Sequence, residues 1–139
     1  MKRFATLALL ALLLLAACGQ QVTILPADQA QAFAAQVDAT SENLFQGLSN
    51  RDYAAFTRDM DATMKGAISE AKFAELHQML IGRYGKYLSR QTIQVFDIGQ
   101  YRSIQYAVNF EQKEGVKLRI VYDMAVTPPP ISGFWIDSQ

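Results

Sequence analysis

The clearest structural signal lies in residues 101–126, which read YRSIQYAVNFEQKEGVKLRIVYDMAV. Apolar side chains occupy every second position on both sides of Lys113-Glu114-Gly115. A period of two is typical of strands that bury one face. We therefore expect strands over residues 101–112 and 116–126, joined by a three-residue loop in which Gly115 takes the left-handed conformation.

The position of that loop predicts how the two strands pair. With the loop at 113–115, the side chains on the buried face are all apolar or aromatic, whereas a slip of one residue would drive cations into the core. The expected partners on the buried face are Phe110 with Leu118, Val108 with Ile120, and Tyr106 with Tyr122. On the outer face we expect Glu111 opposite Lys117, which is a favourable cross-strand pair.

Two further strands flank this hairpin. Residues 92–98 precede it, and residues 131–137 follow it and carry Phe134 and Trp135. The run Thr127-Pro128-Pro129-Pro130 cannot pair within a sheet because proline has no backbone N–H. The sequence therefore predicts a four-stranded antiparallel meander.

The chain before the sheet has the period of a helix instead. A first helix is expected over residues 27–48, where apolar side chains recur at helical spacing. Its apolar positions are Phe33, Val37, Leu44 and Leu48. A second helix is expected over residues 51–59 after Asn50, and a third over 70–82 after Ser69, because both preceding residues are good N-caps.

Either Gly82 or Gly85 is expected to end the third helix, since glycine is the usual residue just past a helix end. Helices followed by an antiparallel meander indicate an α+β fold. We expect three N-terminal helices packed on one face of a four-stranded antiparallel sheet. By its size, residues 27–139 form a single domain.

The first seventeen residues have the pattern of a secretory signal. Lys2 and Arg3 precede an apolar stretch over residues 4–17. As a helix this stretch is about 21 Å long, too short for a hydrocarbon core of about 30 Å. It ends in Leu15-Ala16-Ala17-Cys18, which resembles the lipobox of bacterial lipoproteins.

The lipobox resemblance implies cleavage between Ala17 and Cys18 and acylation of Cys18. Residues 1–17 are then a signal peptide and residues 18–26 a short tether. The lipid on Cys18 would make the membrane a partner of the protein. The implied location is the cell envelope, at the outer membrane where the host has one, because Gly19 rather than Asp follows the cysteine. Two alternatives are an ordinary secretory signal with a chance cysteine, and a buried cysteine in a core helix.

Three short segments carry a second resemblance. They are Asn50-Arg51-Asp52-Tyr53, Met60-Asp61-Ala62-Thr63-Met64-Lys65 and Ile131-Ser132-Gly133-Phe134-Trp135-Ile136. Together with the element order they resemble a domain of unknown function found in prokaryotic lipoproteins, itself similar to the cystatin-like, nuclear-transport-factor-two-like cone. The resemblance implies a curved sheet that wraps a long helix and leaves a pocket at one end. It transfers no catalytic residues.

Composition excludes several classes of site. Lys plus Arg and Asp plus Glu both total 13, which argues against a nucleic-acid partner. One cysteine and one histidine exclude a disulfide framework, a cysteine-rich zinc site and any centre that needs two imidazoles. No nucleotide-binding or hydrolase motif is present. We therefore expect no metal and no cofactor.

Aromatic side chains and one histidine are the candidate pocket residues. They are His77, Tyr84, Tyr106, Tyr122 and Trp135. His77 is either a general base or a boundary histidine with one backbone or solvent partner. The aromatic side chains line a pocket or fill the core with their polar tips at an edge.

Two charged groups have similar alternatives. Arg83, Lys86 and Arg90 with their neighbouring tyrosines bind an anion or a lipid surface, or simply suit a helix C-terminus. Asp59 and Asp61 are a carboxylate pair or a solvated helix terminus.

The favoured function is a binding module at the membrane surface, for a small ligand or an envelope protein. One alternative is an enzyme with His77 as acid and base. The other is a dimerising accessory that uses the outer face of the sheet, where Ala107, Asn109, Arg119 and Val121 lie.

Overall fold

A computed structural model describes residues 21–137. The predicted signal peptide, its cleavage site and Cys18 lie outside the described residues. In chain order the elements are β1 (Thr23–Ile24), α1 (Ala27–Gln36), α2 (Asp38–Ser49), α3 (Tyr53–Thr57), α4 (Ala62–Ala67), α5 (Glu70–Tyr84), β2 (Tyr87–Ile98), β3 (Tyr101–Phe110), β4 (Lys113–Asp123) and β5 (Ile131–Ile136). The α+β prediction with an antiparallel sheet is confirmed, and the counts of three helices and four strands are wrong.

The expected first helix is two helices. Val37 separates α1 from α2, with φ −104° and ψ 8°. A β-branched residue loses side-chain freedom in a helix, so an interruption there costs little. Val37 is itself buried, as are Phe33 on α1 and Leu44 on α2. The bend therefore keeps the apolar faces of both helices in the core.

Capping residues set where the next helices begin. The second helix begins at Tyr53 rather than 51, because Arg51 has φ 57° and the side chain of Asp52, not Asn50, accepts a hydrogen bond from the backbone N–H of Ala55 at 2.9 Å. Helix α4 was not predicted; the side chain of Asp61 caps it by accepting from the N–H of Met64 at 2.7 Å.

The long helix α5 begins as predicted. The Ser69 side chain accepts from the N–H of Lys72 at 3.3 Å. The helix extends two residues beyond the expected end, to Tyr84, and Gly85 with φ 79° follows it. Of the two glycines offered by the sequence, Gly85 is therefore the one that ends the helix.

The sheet has the order β1-β2-β3-β4-β5, and every neighbouring pair is antiparallel. Strand β1 was not predicted: Thr23 and Ile24, expected in the tether, pair with Asp97 and Phe96. Strand β2 begins at Tyr87, five residues before the expected 92. Two bulges interrupt its pairing with β3 and disturb the period of two, which hid the first half of the strand.

The predicted register of β3 and β4 is wrong. Tyr106 pairs with Leu118, and Val108 with Val116, so Lys117 faces Ala107 rather than Glu111. The connection is Glu111-Gln112, and Gly115 lies in β4, where its φ of 67° and its N–H bond to the Asn109 side chain accompany a bulge. The partner shift is four residues, an even number, so each side chain keeps its predicted face.

The helices lie over one face of the sheet and enclose a single apolar cluster. The cluster joins α1, α2, α3 and α5 to the inner face of β2, β3, β4 and β5. A short parallel bridge between Met60 and Ile131 ties the α3–α4 connection to the start of β5. None of the helices within residues 21–137 is long and apolar enough to cross a membrane.

Candidate functional site: a groove beside strand β2

A buried hydroxyl on α2 joins the helix to the sheet. Ser41 Oγ hydrogen-bonds to the phenol oxygens of Tyr106 at 2.8 Å and Tyr122 at 2.7 Å. Thr40 Oγ1 lies 3.3 Å from the Tyr122 hydroxyl. Burial raises the pKa of both phenols, although their hydrogen bonds with Ser41 oppose the shift. Both tyrosines therefore stay neutral, and their hydroxyls connect the sheet to α2 by hydrogen bonds.

Arg90 lies beside this network and connects β2 to α2. Its side chain is 8 % exposed and pairs with Asp38 at 2.5 Å and with Glu42. Its Nη1 also donates to the Tyr87 hydroxyl at 2.9 Å. The guanidinium carbon lies 5.4 Å from the centre of the Tyr106 ring, within the range of a cation–π contact. Two carboxylates, one phenol hydroxyl and one aromatic ring thus fix the position of the Arg90 side chain.

The Tyr87 hydroxyl is part of the same assembly. It donates to Glu42 Oε2 at 2.8 Å. Burial, together with the charge of Asp38, raises the pKa of Tyr87 to about 12. At neutral pH this phenol is a fixed donor between the arginine and the glutamate.

An open groove of about 470 Å³ runs above these residues, between the α1–α2 pair and residues 87–92 of β2. We call it the β2 groove. Its walls include Ala34 and Ala35 on α1, Asp38 and Glu42 on α2, and Leu88 and Thr92 on β2. Small alanines on one side and an extended strand on the other leave a channel that is open to solvent.

The charges of the groove are unequal. One arginine faces two carboxylates, so the three side chains sum to one negative charge. The arginine is buried, whereas the Asp38 side chain is 73 % exposed and that of Glu42 is also partly exposed. The solvent side of the groove is therefore anionic, and it suits a neutral or basic group better than an acidic one.

The groove follows a sheet edge that is mostly uncovered. Strand β1 pairs with only two residues of β2, Asp97 and Phe96, and no other strand within residues 21–137 covers that side of β2. Leu88 and Ile93 are the extra residues of the two β2 bulges, and both are exposed. Bulges hinder the addition of a further strand, so this edge presents side chains rather than a regular backbone ladder.

The predicted pocket residues do not meet at one place. Tyr106 and Tyr122 come together on Ser41, and Tyr106 also lines the β2 groove. Trp135 lies on the outer face of the sheet, 52 % exposed and paired with Arg119. Trp135 therefore neither fills the core nor lines the β2 groove, because Phe134 packs against the apolar cluster and neighbouring side chains of a strand point to opposite faces.

His77 and Tyr84 lie on α5, away from the groove. The His77 Nδ1 hydrogen-bonds to the backbone carbonyl of Leu48 at 2.7 Å, which is the boundary role that the sequence offered as one alternative. The centres of the Tyr84 and Phe110 rings lie 5.7 Å apart, and the Arg83 guanidinium carbon lies 5.1 Å from the centre of the Tyr84 ring. Both side chains attach α5 to its neighbours.

The two charged groups separate as well. Arg83 and Lys86 are exposed near the end of α5, whereas Arg90 is buried at the groove. Asp61 caps α4 and accepts a hydrogen bond from the Ser132 hydroxyl at 2.6 Å. Burial would raise the pKa of Asp61, but the bonds from Ser132 and from backbone N–H groups outweigh it and lower the pKa. Across the described part of the chain, no three His, Cys, Asp or Glu side chains gather as a metal site.

Sequence reasoning missed Ser41, Asp38 and Glu42. Ser41 had a detectable signal, because it follows Val37 by four residues and precedes Leu44 by three, in the middle of the apolar stripe. A polar residue at such a position needs a buried partner. The acids had no such signal, since Arg90 is 52 and 48 residues away along the chain.

The chain matches a known family over more than half of its length. A family model described as "Protein of unknown function (DUF3887)" matches residues 41–126. The matched region contains Ser41, Glu42 and Arg90, and it ends before β5. No curated protein matches the chain.

Proposed function

The chain belongs to the DUF3887 family of proteins of unknown function, and we propose that it is a lipid-anchored binding module of the cell envelope that holds an extended segment of a protein partner in the β2 groove. The observation that carries this proposal is the groove itself: an open channel beside an uncovered strand edge, with a buried arginine at its base and carboxylates at its rim.

Anchoring is supported by the lipobox-like residues Leu15-Ala16-Ala17-Cys18. Each methylene of an acyl chain contributes about 0.8 kcal/mol when it enters the bilayer, and two or more chains anchor a protein stably. Because Thr23 already belongs to the sheet, only five residue steps separate it from Cys18, a span of at most about 17 Å. The proposed protein therefore works close to its membrane.

A cone like that of the cystatin-like proteins is part of the proposal. Strands β2, β3 and β4 have 12, 10 and 11 residues, and bulges of the kind found in β2 bend a sheet. In such a cone the pocket opens at one end, between the helices and the sheet. The β2 groove likewise lies between the helices and the sheet, beside the first half of β2, which supports this part of the proposal.

A protein segment fits this groove better than a small apolar ligand. Apolar ligands favour enclosed sites that bury most of their surface, whereas the β2 groove is open to solvent. The interior beneath it is filled by the buried rings of Phe45, Tyr106 and Tyr122. The exposed side chains of Leu88 and Ile93 offer apolar contacts, and the acidic rim favours a neutral or basic segment.

The proposal is tested by photo-crosslinking in the native host. A photoreactive residue is placed at Leu88, which is 61 % exposed in the groove, and as a control at Met79, which is exposed on α5. We expect a discrete adduct with an envelope protein from position 88 and none from position 79.

Two matched substitutions make the test specific. Ala35→Arg places a cationic side chain in the groove wall, and we expect it to abolish the adduct. Ala39→Arg changes an exposed helical alanine outside the groove wall and should leave the adduct intact. An adduct that survives Ala35→Arg, or one that forms equally from position 79, would contradict the groove as the binding site.

Anchoring is measured separately on the same material. Intact mass of the protein from its host should correspond to a chain that begins at Cys18 and carries acyl groups. An unprocessed chain would contradict the lipid anchor and leave the groove proposal standing.

A further inference from the structure

The direction of β1 determines which end of the sheet lies nearest the proposed anchor. Strand β1 is antiparallel to β2, with Thr23 opposite Asp97 and Ile24 opposite Phe96. The chain therefore enters the sheet beside the β2–β3 turn. These two residue pairs and the bond from the Leu25 N–H to the Val95 carbonyl at 2.9 Å fix the entering segment to this end.

Two other connections lie at the same end. The β2–β3 turn contacts the end of β4, because the Met124 N–H donates to the Gln100 carbonyl at 2.9 Å and Gln100 Nε2 donates to Asp123 at 3.1 Å. The β4–β5 connection begins there and includes the exposed residues 125–128. Residues 21–24, 98–101 and 124–128 thus form one surface, which we call the uncharged end.

The uncharged end is unusual in composition. The sequence has no Asp, Glu, Lys or Arg over residues 19–27, 98–101 or 124–136, although 19 % of the whole chain is charged. The exposed large apolar side chains here are Val22, Ile24 and Val126. At its border, Arg102 pairs with Asp97 at 3.7 Å, and Asp123, whose carboxylate accepts hydrogen bonds from Gln100 and from the Ala125 N–H, adds one negative charge.

The opposite end of the sheet has the reverse character. There the Lys86 N–H donates to the Glu111 carboxylate at 2.9 Å, and the Gln112 N–H donates to the Tyr84 carbonyl at 2.8 Å, which brings the end of α5 and the β3–β4 turn together. The charged residues of this end are Arg83, Lys86, Glu111, Lys113 and Glu114. The β2 groove begins beside this end, at Tyr87 and Leu88.

We propose that the uncharged end lies against the lipid bilayer, so that the β2 groove opens away from the membrane. This orientation rests on the proposed lipid anchor at Cys18. A ten-residue strand such as β3 is about 34 Å long, twice the span of about 17 Å available between Cys18 and Thr23. The tether is thus too short to let the charged end reach the bilayer while β1 stays paired.

The test places a single tryptophan at either end. In a Trp135→Phe background, Val126→Trp and Ile24→Trp report on the uncharged end, and Leu88→Trp reports on the groove. All three sites are exposed, with Val126 at 51 %. The chain from Cys18 onward, which contains every described residue, is coupled through its thiol to maleimide-bearing phosphatidylethanolamine. The vesicles contain phosphatidylethanolamine and phosphatidylglycerol with brominated acyl chains, which quench tryptophan on contact.

We expect the brominated lipid to quench Val126→Trp and Ile24→Trp several-fold more strongly than Leu88→Trp. The two reporters at the uncharged end lie on different segments, so a folding defect in one leaves the other informative. Quenching of Leu88→Trp that equals or exceeds theirs would overturn the orientation. Because the coupling is chemical, that outcome is independent of whether the host acylates Cys18, which intact mass decides.

Discussion

Helices α2 and α5 are of similar length but are built in opposite ways. Six of the twelve residues of α2 are buried, whereas only Phe73 and Leu80 of the fifteen in α5 are. Helix α2 holds the tyrosine network and the Arg90 pairs between the sheet and the groove, whereas α5 covers the core from outside. The stability of the fold and the geometry of the candidate site therefore both depend on α2. Substitutions in α2 should have much larger effects than substitutions in α5.

The largest contrast is expected from the same substitution in both helices. A Cβ at Gly47 of α2 would lie 2.4 Å from the backbone nitrogen of Phe56, so Gly47→Ala forces α3 away. A Cβ at Gly82 of α5 meets nothing within 4 Å. We expect Gly47→Ala to lower the free energy of unfolding by about 3 kcal/mol. Gly82→Ala should raise it by about 0.5–1 kcal/mol, because alanine is the better helix former.

Denaturant unfolding of both variants checks this contrast. The opposite signs are the diagnostic feature, since an alanine that merely improved helix propensity would stabilise both helices. A Gly47→Ala protein as stable as the parent would mean that α2 and α3 can separate freely.

The next effect concerns the hydroxyl of Ser41. Ser41→Ala leaves the buried Tyr106 hydroxyl without its 2.8 Å partner, and we expect a loss of about 2 kcal/mol in the free energy of unfolding. The matched control is Ser89→Ala, because Ser89 is exposed and accepts one bond from Asn109; its effect should stay within about 0.5 kcal/mol.

A double-mutant cycle isolates the contact. If the cost of Ser41→Ala comes from the lost hydrogen bond to the Tyr106 hydroxyl, then combining it with Tyr106→Phe should cost less than the sum of the two single changes. Strict additivity would show that the two side chains do not interact energetically.

The sequence predicted the faces of the strands better than their partners. Alternation placed Ile104, Tyr106 and Val108 of β3 on the buried face, and all three are buried. The register failed because a glycine with positive φ suits a loop and a bulge equally, and Gly115 lies in a bulge. Local conformational preference therefore could not decide where the chain turns.

The candidate site was predictable only in part. Tyr106 and Tyr122 were predicted from their strand positions, whereas Ser41 was missed although it is a hydroxyl within an apolar stripe. The partners of Arg90 come from a helix about fifty residues earlier, and only the packing of α2 against β2 brings Asp38 and Glu42 to it. Contacts between residues so far apart in the sequence produce no periodic pattern from which they could be predicted.

The smallest expected effect is a pH dependence of stability in alkaline solution. It comes from the tyrosines that contact α2. In the unfolded chain a tyrosine releases its proton near its ordinary pKa of about 10, whereas the folded protein raises the pKa of Tyr87 to about 12 and raises those of Tyr106 and Tyr122 as well. Between those pH values the unfolded state binds fewer protons than the folded state. The free energy of unfolding should therefore fall as the pH rises above about 10, and stay unaffected by these groups below it.

Tyr122→Phe makes that fall attributable to the α2 network. The variant loses the 2.7 Å bond to Ser41 and should be less stable than the parent at neutral pH, but it has one phenol fewer to ionise. We expect its stability to decline less steeply between about pH 10 and pH 12, so that the two curves converge. Denaturant unfolding across that range measures both slopes. Parallel curves would mean that Tyr122 ionises alike in the folded and unfolded chains, and that its hydroxyl under α2 is open to water.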